Sequence, residues 1–498
     1  MNDSTTKENK IPGLVITGAV LAVTLVFDYF LVKCGMVPWK YLVLALILLL
    51  LPTVLVWAGT RRLLKRLRFA LGTVLAVVTC GVLIYGSTVL AKVTGTLTSI
   101  TTMQTEVANV GVYVLAEDDA EAVSQLTEYA FGILSQIDRS STDAAIEQFE
   151  AELDTDLGTI EYEGLTSLAD ALLTGECRVI LLNSAFLEVL EEIEGYEDIF
   201  EKLREVTLIE VVEEITVAAA PQEDTSQEQE TSDEISENAF IVYISGIDSR
   251  NGLKAKSRSD VNILAVVNPD THTVLLVSTP RDYYVPLSIS NGICDKLTHA
   301  GIYGVSVSMD TLEMLYDIEV DYYVRICFEG LEEVVDALGG VTVYSEYSFQ
   351  SSFDKNLYFT AGYNEMNGDE ALLFSRERYA FASGDRQRGK NQMQVIKAII
   401  NKAMSPDILV KYNSLLEAAE NNFETSVPYD LIASLVSDQL SSGADWNIVT
   451  YSVDGTGSSQ VPYSMSVRAY VMIPDESTVA TAQELMQAVL RGEEVEQP

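Results

Sequence analysis

The chain has 498 residues, 48% of them hydrophobic, with 32 Lys+Arg against 73 Asp+Glu and a formal net charge of −41. Nucleic-acid binding draws on neutralising phosphates, so this balance excludes a nucleic-acid partner. Two histidines, and five cysteines without metal-like spacing, exclude a His-rich or Cys-rich metal centre.

Residues 1–12 form a short polar tail. Three apolar runs follow, Gly13–Val32, Tyr41–Ala58 and Phe69–Ala91, each near the ~20 residues that cross a bilayer core. A cleaved signal peptide has one short apolar region, so three long runs predict membrane spans. Between the second and third lies RRLLKRLR, Arg61–Arg68, with five positive charges and no negative one. That loop predicts a cytoplasmic N-terminus and an extracytoplasmic chain after Ala91. The residues after Ala91 hold 23 basic and 70 acidic side chains.

Residues Thr105–Val217 read as a small α/β accessory domain. Val110–Ala116 and Cys177–Asn183 have strand patterns, and a further strand is expected near Thr207–Val212. Asp118–Ile137 reads as an amphipathic helix, and Ser184–Tyr196 as another. No nucleophile–base pair and no phosphate loop stand out here, so packing or binding is the expected role. Residues 218–238 are polar, acidic and free of aromatics, the composition of a linker.

From Ala239 to about Leu490 the pattern is that of an α/β/α sandwich with a mixed central sheet. Phe240–Asp248, Val261–Val267 and Thr273–Thr279 are near-continuous apolar strands, as in a sheet covered on both faces. Tyr322–Phe328 and Val341–Ser345 add strands, and the segments from Ser308, Gly330 and Asn391 have helical spacing. Cys294 and Cys327 leave a disulfide open; buried free thiols are the plainer expectation.

Polar residues gather at the strand ends: Asp248 and Arg250 after the first, Arg258 and Asp260 before the second, Arg281 and Asp282 after the third. The stretch FSRERYAFASGDRQRGKNQ, Phe374–Gln392, adds Arg376, Arg378, Asp385, Arg386 and Arg388. If SRER is a strand, Arg376 and Arg378 share a face and present two guanidinium forks to one polyanion. Solvated salt bridges are the alternative for any single arginine. Asp248 and Asp260 fit either structural pairing or Mg²⁺ held with phosphate oxygens. Phosphoryl transfer is the chemistry that such neutralisation serves.

The order GIDSR, SRSDVNILAVVNPDTHTVLLVSTPRDYYVPL, KLTHA, DYYVRICFEGLEEVVDALGGVTV and FSRERYAFASGDRQRGKNQMQVI resembles the LytR–CpsA–Psr family from about Phe240 to Met404. Three spans and an accessory domain resemble its capsule-type branch of Gram-positive bacteria. The resemblance implies a membrane phosphotransferase. Such an enzyme moves a glycopolymer from undecaprenyl pyrophosphate to a peptidoglycan hydroxyl, leaving a phosphodiester. It further implies Mg²⁺ at Asp248 and Asp260, and pyrophosphate contacts from Arg258, Arg281, Lys296, Arg376, Arg378, Arg388 and Gln392. Arg281, Arg376, Arg378 and Asp385 are its expected catalytic residues, with the general base open among Asp248, Asp282 and Asp385. The implied partners are the polyprenyl-linked glycan, peptidoglycan, the cell membrane and proteins of capsule or wall-polymer synthesis. This sequence departs from the family at Asn391, where an arginine is usual, and at Cys327, where an aspartate is common. A pyrophosphatase and a non-catalytic precursor-binding scaffold are the competing readings.

Overall fold

The computed structural model describes residues 11–60, 66–101, 105–215, 236, 238–247, 252–405, 408–465 and 467–497. Asp248, Arg250 and almost all of the 218–238 linker lie outside these residues, as does most of the basic loop. The chain divides into two compact units.

The first unit holds the helices α1 (Ile11–Cys34), α2 (Trp39–Thr60) and α3 (Arg66–Thr101), each long and apolar enough to cross a membrane. They pack pairwise, with Gly59 and Gly72 allowing α2 and α3 to touch backbone to backbone. Thr60 satisfies its hydroxyl on the Val56 carbonyl at 2.7 Å, as a polar group in an apolar setting must. Most of their apolar side chains face outward, which only a lipid-like surrounding accommodates at low cost. The same unit contains residues 409–420 and 427–445. Tyr429 there donates to the Cys34 carbonyl at 2.8 Å, and Ala433 packs with Cys34, Met36 and Val93.

In the second unit the accessory domain runs β1 (Thr105–Leu115), β2 (Phe131–Leu134), α4 (Arg139–Leu153), β3 (Thr159–Tyr162), α5 (Leu165–Leu173), β4 (Val179–Asn183), α6 (Ala185–Glu191), α7 (Ile199–Lys202) and β5 (Leu203–Glu214). Its sheet order is β3-β2-β4-β1-β5. The helix expected over Asp118–Ile137 is not formed. Phe131, Gly132, Ile133 and Leu134 are all buried and form a strand, and only a short 3₁₀ turn precedes them. Parallel pairing to β3 and β4 overrides the local helical spacing.

The larger domain continues with β6 (Phe240–Ile247), β7 (Ser259–Asn268), β8 (Thr273–Ser278), β9 (Tyr284–Pro286), β10 (Cys294–Lys296), α8 (Leu297–Tyr303), α9 (Val305–Tyr316), β11 (Tyr322–Cys327) and α10 (Phe328–Ala337). Two short hairpins follow from β12 (Val341–Ser345), β13 (Phe349–Gln350), β14 (Tyr358–Phe359) and β15 (Gly362–Met366). Then come α11 (Gly368–Arg376), α12 (Asp385–Ala403) and β16 (Phe423–Thr425). The helices on either side of β16, α13 (Ile408–Asn422) and α14 (Tyr429–Ser442), fall almost wholly in the first unit. The chain closes with β17 (Asn447–Ser452), the hairpin β18 (Gly455–Gln460) and β19 (Ala469–Pro474), and α15 (Glu476–Leu490).

The central sheet has the order β16-β11-β6-β7-β8-β17 and is mixed, with β11–β6 and β8–β17 parallel and the other pairs antiparallel. On one face Tyr243, Leu264, Val266, Leu275 and Val277 pack with α9 and α15 into a core of near-zero exposure. The other face lies under α12 and its neighbours. This is the expected mixed-sheet α/β architecture.

Both cysteines of the suggested disulfide are free, as are Cys34, Cys80 and Cys177. Cys327 Sγ instead lies 3.5 Å from Asn422 Oδ1.

Candidate functional site

Strand direction builds the site. β6, β8, β11 and β17 end on the edge where β7 begins, so the segments that follow β8, β11 and β17 start there. Sites in open α/β sheets form at such carboxyl ends. Arg258 and Asp260 sit at the entry to β7, and Arg281 follows β8. Lys296 ends β10 and leads into α8. Asp385 opens α12, with Arg388 one turn in and Gln392 on the next.

Two glycines permit this convergence. A Cβ at Gly389 would stand 2.8 Å from Ser278 Oγ, so glycine lets the first turn of α12 lie against the end of β8. A Cβ at Gly301 would meet the Ser257 carbonyl at 2.5 Å, so α8 closes on the segment that carries Arg258.

The charged groups interlock. Arg281 Nη1 donates to Asp260 Oδ1 at 2.9 Å, and its Nε lies 3.8 Å from Asp282. Lys296 Nζ is 3.5 Å from Asp282, and Arg388 Nη2 is 2.6 Å from Asp385 Oδ1. A further carboxylate comes from the accessory domain. Glu192, at the end of α6, pairs with Arg258, lies 3.3 Å from Lys296 and 3.6 Å from Arg281. Glu188, one turn earlier, is 3.3 Å from Arg258. The Nε atoms of Arg258 and Arg281 are buried without a hydrogen-bond acceptor among the described residues. Buried guanidinium donors left open are costly, and an oxyanion would satisfy them.

Burial raises the Glu192 carboxyl, but Arg258, Lys296 and Arg281 outweigh it and hold its pKa at about 2. Asp260 behaves likewise: burial pushes it up, and Arg281, Arg258 and Arg388 pull it below the ordinary carboxylate value. Asp385 goes the other way. Burial lifts its pKa, Arg388 only partly opposes that, and Asp282 adds to it.

A cavity of about 750 Å³ opens over this cluster, lined by Glu192, Arg281, Asp282, Lys296, Arg378 and Asp385, with Arg468 and Tyr470 from the β18–β19 hairpin. A cleft beside it is lined by Asp260, Arg281, Asp385, Arg388 and Gln392. The N-terminus of α12 faces this space, adding the partial positive charge of free N–H groups.

Along α12 one face changes character. Asp385, Arg388 and Gln392 are followed at helical spacing by Ile396, Ile399 and Ala403. Ile396 and Ile399 are half-buried, as are Ile244, Val261 and Val324 on this side of the sheet. Thr273–Ser278 of β8 and Val395 of α12 are buried.

SRER is not a strand. Arg376 is the last residue of α11, and Glu377 caps it in an extended conformation. The capping box Asn367–Glu370 starts this helix and sets its register, so Arg376 and Arg378 do not share a strand face. Arg378 lines the cavity and donates to Tyr379 Oη at 2.6 Å. Arg376 lies outside the linings of the cavity and cleft; its guanidinium stacks over Phe328 at 4.9 Å and Phe353 at 5.6 Å. Arg386 pairs with Asp454 at 2.6 Å. Glu192, Glu188 and Arg468 carried no signal in the sequence.

His299 meets Asp295 and Ser464, each at 2.7 Å, but both bond Nδ1 and all three are buried. A catalytic triad needs the two partners on opposite ring nitrogens, so this is a structural knot.

Among the described residues no group of three His, Cys, Asp or Glu has metal-binding geometry. Mg²⁺ needs only one or two carboxylates when phosphate oxygens and water complete its shell. Asp260 in the cleft meets that requirement, although Arg281 and Thr298 already donate to its Oδ1. Asp385 Oδ1 is buried without an aligned donor. The residues present fit such a cation.

A cluster of arginines, a lysine and carboxylates at the strand ends of a mixed α/β sheet defines the site of this domain. Residues 208–487 match the LytR_cpsA_psr family model, and the chain belongs to that family. It is 38% identical over 219 residues to the polyisoprenyl-teichoic acid–peptidoglycan teichoic acid transferase TagU of Bacillus subtilis, covering 44% of this chain and 69% of the relative. The Enterococcus faecalis protein of the same name is 34% identical over 249 residues, covering 49% and 78%. The crystal structure of B. subtilis TagV aligns at 25% identity and a TM-score of 0.43, over 52% of this chain and 100% of that one.

Proposed function

We propose that the protein is a membrane-anchored phosphotransferase. It moves a wall or capsular glycopolymer from a polyprenyl-pyrophosphate carrier to a peptidoglycan hydroxyl. One observation carries the reading: four cations, Arg258, Arg281, Lys296 and Arg388, meet beside a cavity of about 750 Å³, with two buried Nε–H donors unsatisfied. That arrangement suits a phosphate-rich head group. The named activity of the TagU relatives supports the same reading.

The acceptor hydroxyl attacks the phosphorus nearest the glycan. A new P–O bond forms, the bridging P–O–P bond breaks, and polyprenyl monophosphate leaves. Arg281, Arg388 and Arg378 neutralise the charge that develops on the transferring group. Asp385 takes the hydroxyl proton: it lines the cavity, and its raised pKa makes it a stronger base than an ordinary aspartate. Lys296 and Arg258 hold the outer oxygens, and Gln392 stands where head meets tail. Arg376, stacked on two phenylalanines, reaches the substrate only by leaving that stack. Asp260, with Asp248, would hold Mg²⁺, which supplies further charge neutralisation when bound. The tail runs along Ile396 and Ile399. The basic loop Arg61–Arg68 lies in the cytoplasm and the catalytic domain outside.

The test uses the full chain in detergent with Mg²⁺, a polyprenyl-pyrophosphate glycan and uncross-linked peptidoglycan, with products read by mass spectrometry. Glycan on peptidoglycan with the native chain, and none with Arg281→Ala, is the expected result. Free glycan phosphate alone would make it a pyrophosphatase. Binding without either product would make it a scaffold.

A further inference from the structure

The accessory domain reaches into the cation cluster, and its reach is built rather than incidental. Phe186, Leu187, Val189 and Leu190 of α6 are buried in one cluster with Ile302 and Met465 of the larger domain. Phe186 also meets Tyr303 edge-on at 6.0 Å. With its apolar face fixed there, α6 presents Glu188 and Glu192, four residues apart, to one side. Glu192 engages Arg258, Lys296 and Arg281 together, the three cations that a phosphate would need. The cations Arg258, Arg281, Lys296 and Arg388 outnumber the cluster's own carboxylates, Asp260, Asp282 and Asp385, and the two glutamates more than reverse that balance. With Glu192 seated, an incoming phosphate competes with a resident carboxylate for Arg258, Arg281 and Lys296.

We infer that Glu192 is a specificity-determining residue of the phosphate site: a resident carboxylate, supplied by the accessory domain, that the substrate's diphosphate must displace. This rests on the phosphotransferase reading above. A diphosphate offers enough oxygens to replace Glu192 on all three cations and to reach Arg388. A monophosphate offers fewer and is held less firmly against the returning carboxylate. After transfer the carrier keeps one phosphate, so Glu192 helps to clear it. The carboxylate remains ionised across the working range, with its pKa near 2, so the exchange is governed by the ligand and not by pH.

The full chain in detergent is titrated calorimetrically with geranylgeranyl diphosphate and geranylgeranyl monophosphate, with and without Mg²⁺. Glu192→Gln keeps shape and removes charge; Glu192→Ala guards against an amide that re-forms the contacts. Thermal midpoints report folding, and Arg281→Ala is the binding-dead control. The expected result is diphosphate binding tightened about tenfold or more in both Glu192 variants, and monophosphate turned from a poor ligand into a measurable one. Unchanged or weaker diphosphate binding in folded variants overturns the inference, and weakening only with Mg²⁺ would make Glu192 a metal ligand instead. If the native chain and the Glu192 variants all ignore the diphosphate, the phosphate-site reading fails and this inference with it.

Discussion

Glu106 and Arg325 form a buried ion pair that joins the accessory domain to the central sheet. Arg325 Nη1 lies 2.6 Å from Glu106 Oε1, and both residues are at most 3% exposed. Arg325 also donates to the Ala255 carbonyl at 3.0 Å, and the Val305 N–H reaches both Glu106 oxygens at 3.1 Å. Around the pair, Val107 N–H donates to the Lys254 carbonyl and Lys256 N–H to the Val107 carbonyl, extending the seam as backbone pairing.

Glu424, also fully buried, lies 3.7 Å from Arg325, so losing Arg325 strands two carboxylates and losing Glu106 leaves Arg325 only the more distant one. Glu106→Gln or Arg325→Met should each destabilise the chain by about 3–5 kcal/mol, seen as a lowered thermal midpoint of the detergent-solubilised protein. The double variant should recover part of the loss. Single variants as stable as the native chain would remove the junction from the account.

Asp138 gives the accessory domain a measurable pH dependence. It is buried, bonded by Ser141 and Asn183, and burial pushes its carboxyl up to about 6, well above the ordinary aspartate range. The folded state therefore binds the proton more tightly than the unfolded chain. The stability that this gives is fully present below the unfolded value and is lost as pH rises through about 6. Native protein should gain roughly 2–3 kcal/mol from this group on acidification from pH 7.5 to 4. Asp138→Asn should lack that component in a pH series of thermal midpoints.

Arg281 and Lys are not interchangeable here. Arg281 meets Asp260, Asp282 and Glu192 at once through a planar fork. Arg281→Lys should lower transfer about 100-fold or more with little change in thermal midpoint, because a point charge cannot hold this geometry. Near-native turnover in the lysine variant would argue for simple charge neutralisation.

The apolar layer should sense tail length. Ile399→Trp fills the half-buried side of α12 beyond Gln392. It should weaken a long-chain polyprenyl diphosphate at least about tenfold while sparing inorganic pyrophosphate. Equal losses for both ligands would place the tail elsewhere.

Much of this fold is legible because its strands are nearly continuous apolar runs. The expected strands Phe240–Asp248, Val261–Val267 and Thr273–Thr279 correspond to β6, β7 and β8, with Thr279 one residue past β8 and Asp248 outside the described residues. The Phe131–Leu134 strand was hidden because four residues next to an amphipathic stretch carry too little period to separate strand from helix. Arg258, Arg281, Lys296 and Arg388 stood out as cations in an acidic chain, and the strand ends explain why they meet. Glu192 could not stand out. It is one of 73 acidic residues, and its place depends on the packing of α6, which no local pattern encodes. The stacking of Arg376 was equally hidden, since it depends on Phe328 and Phe353 from distant segments.

The central claim is transfer of the glycan-side phosphate, and an isotope settles it most directly. A donor labelled only at the phosphorus next to the glycan is incubated with the full chain and uncross-linked peptidoglycan. The account predicts label in a phosphodiester on peptidoglycan, with unlabelled polyprenyl monophosphate released, and neither product with Arg281→Ala. Label left on the lipid, or recovered only as free glycan phosphate, would contradict it.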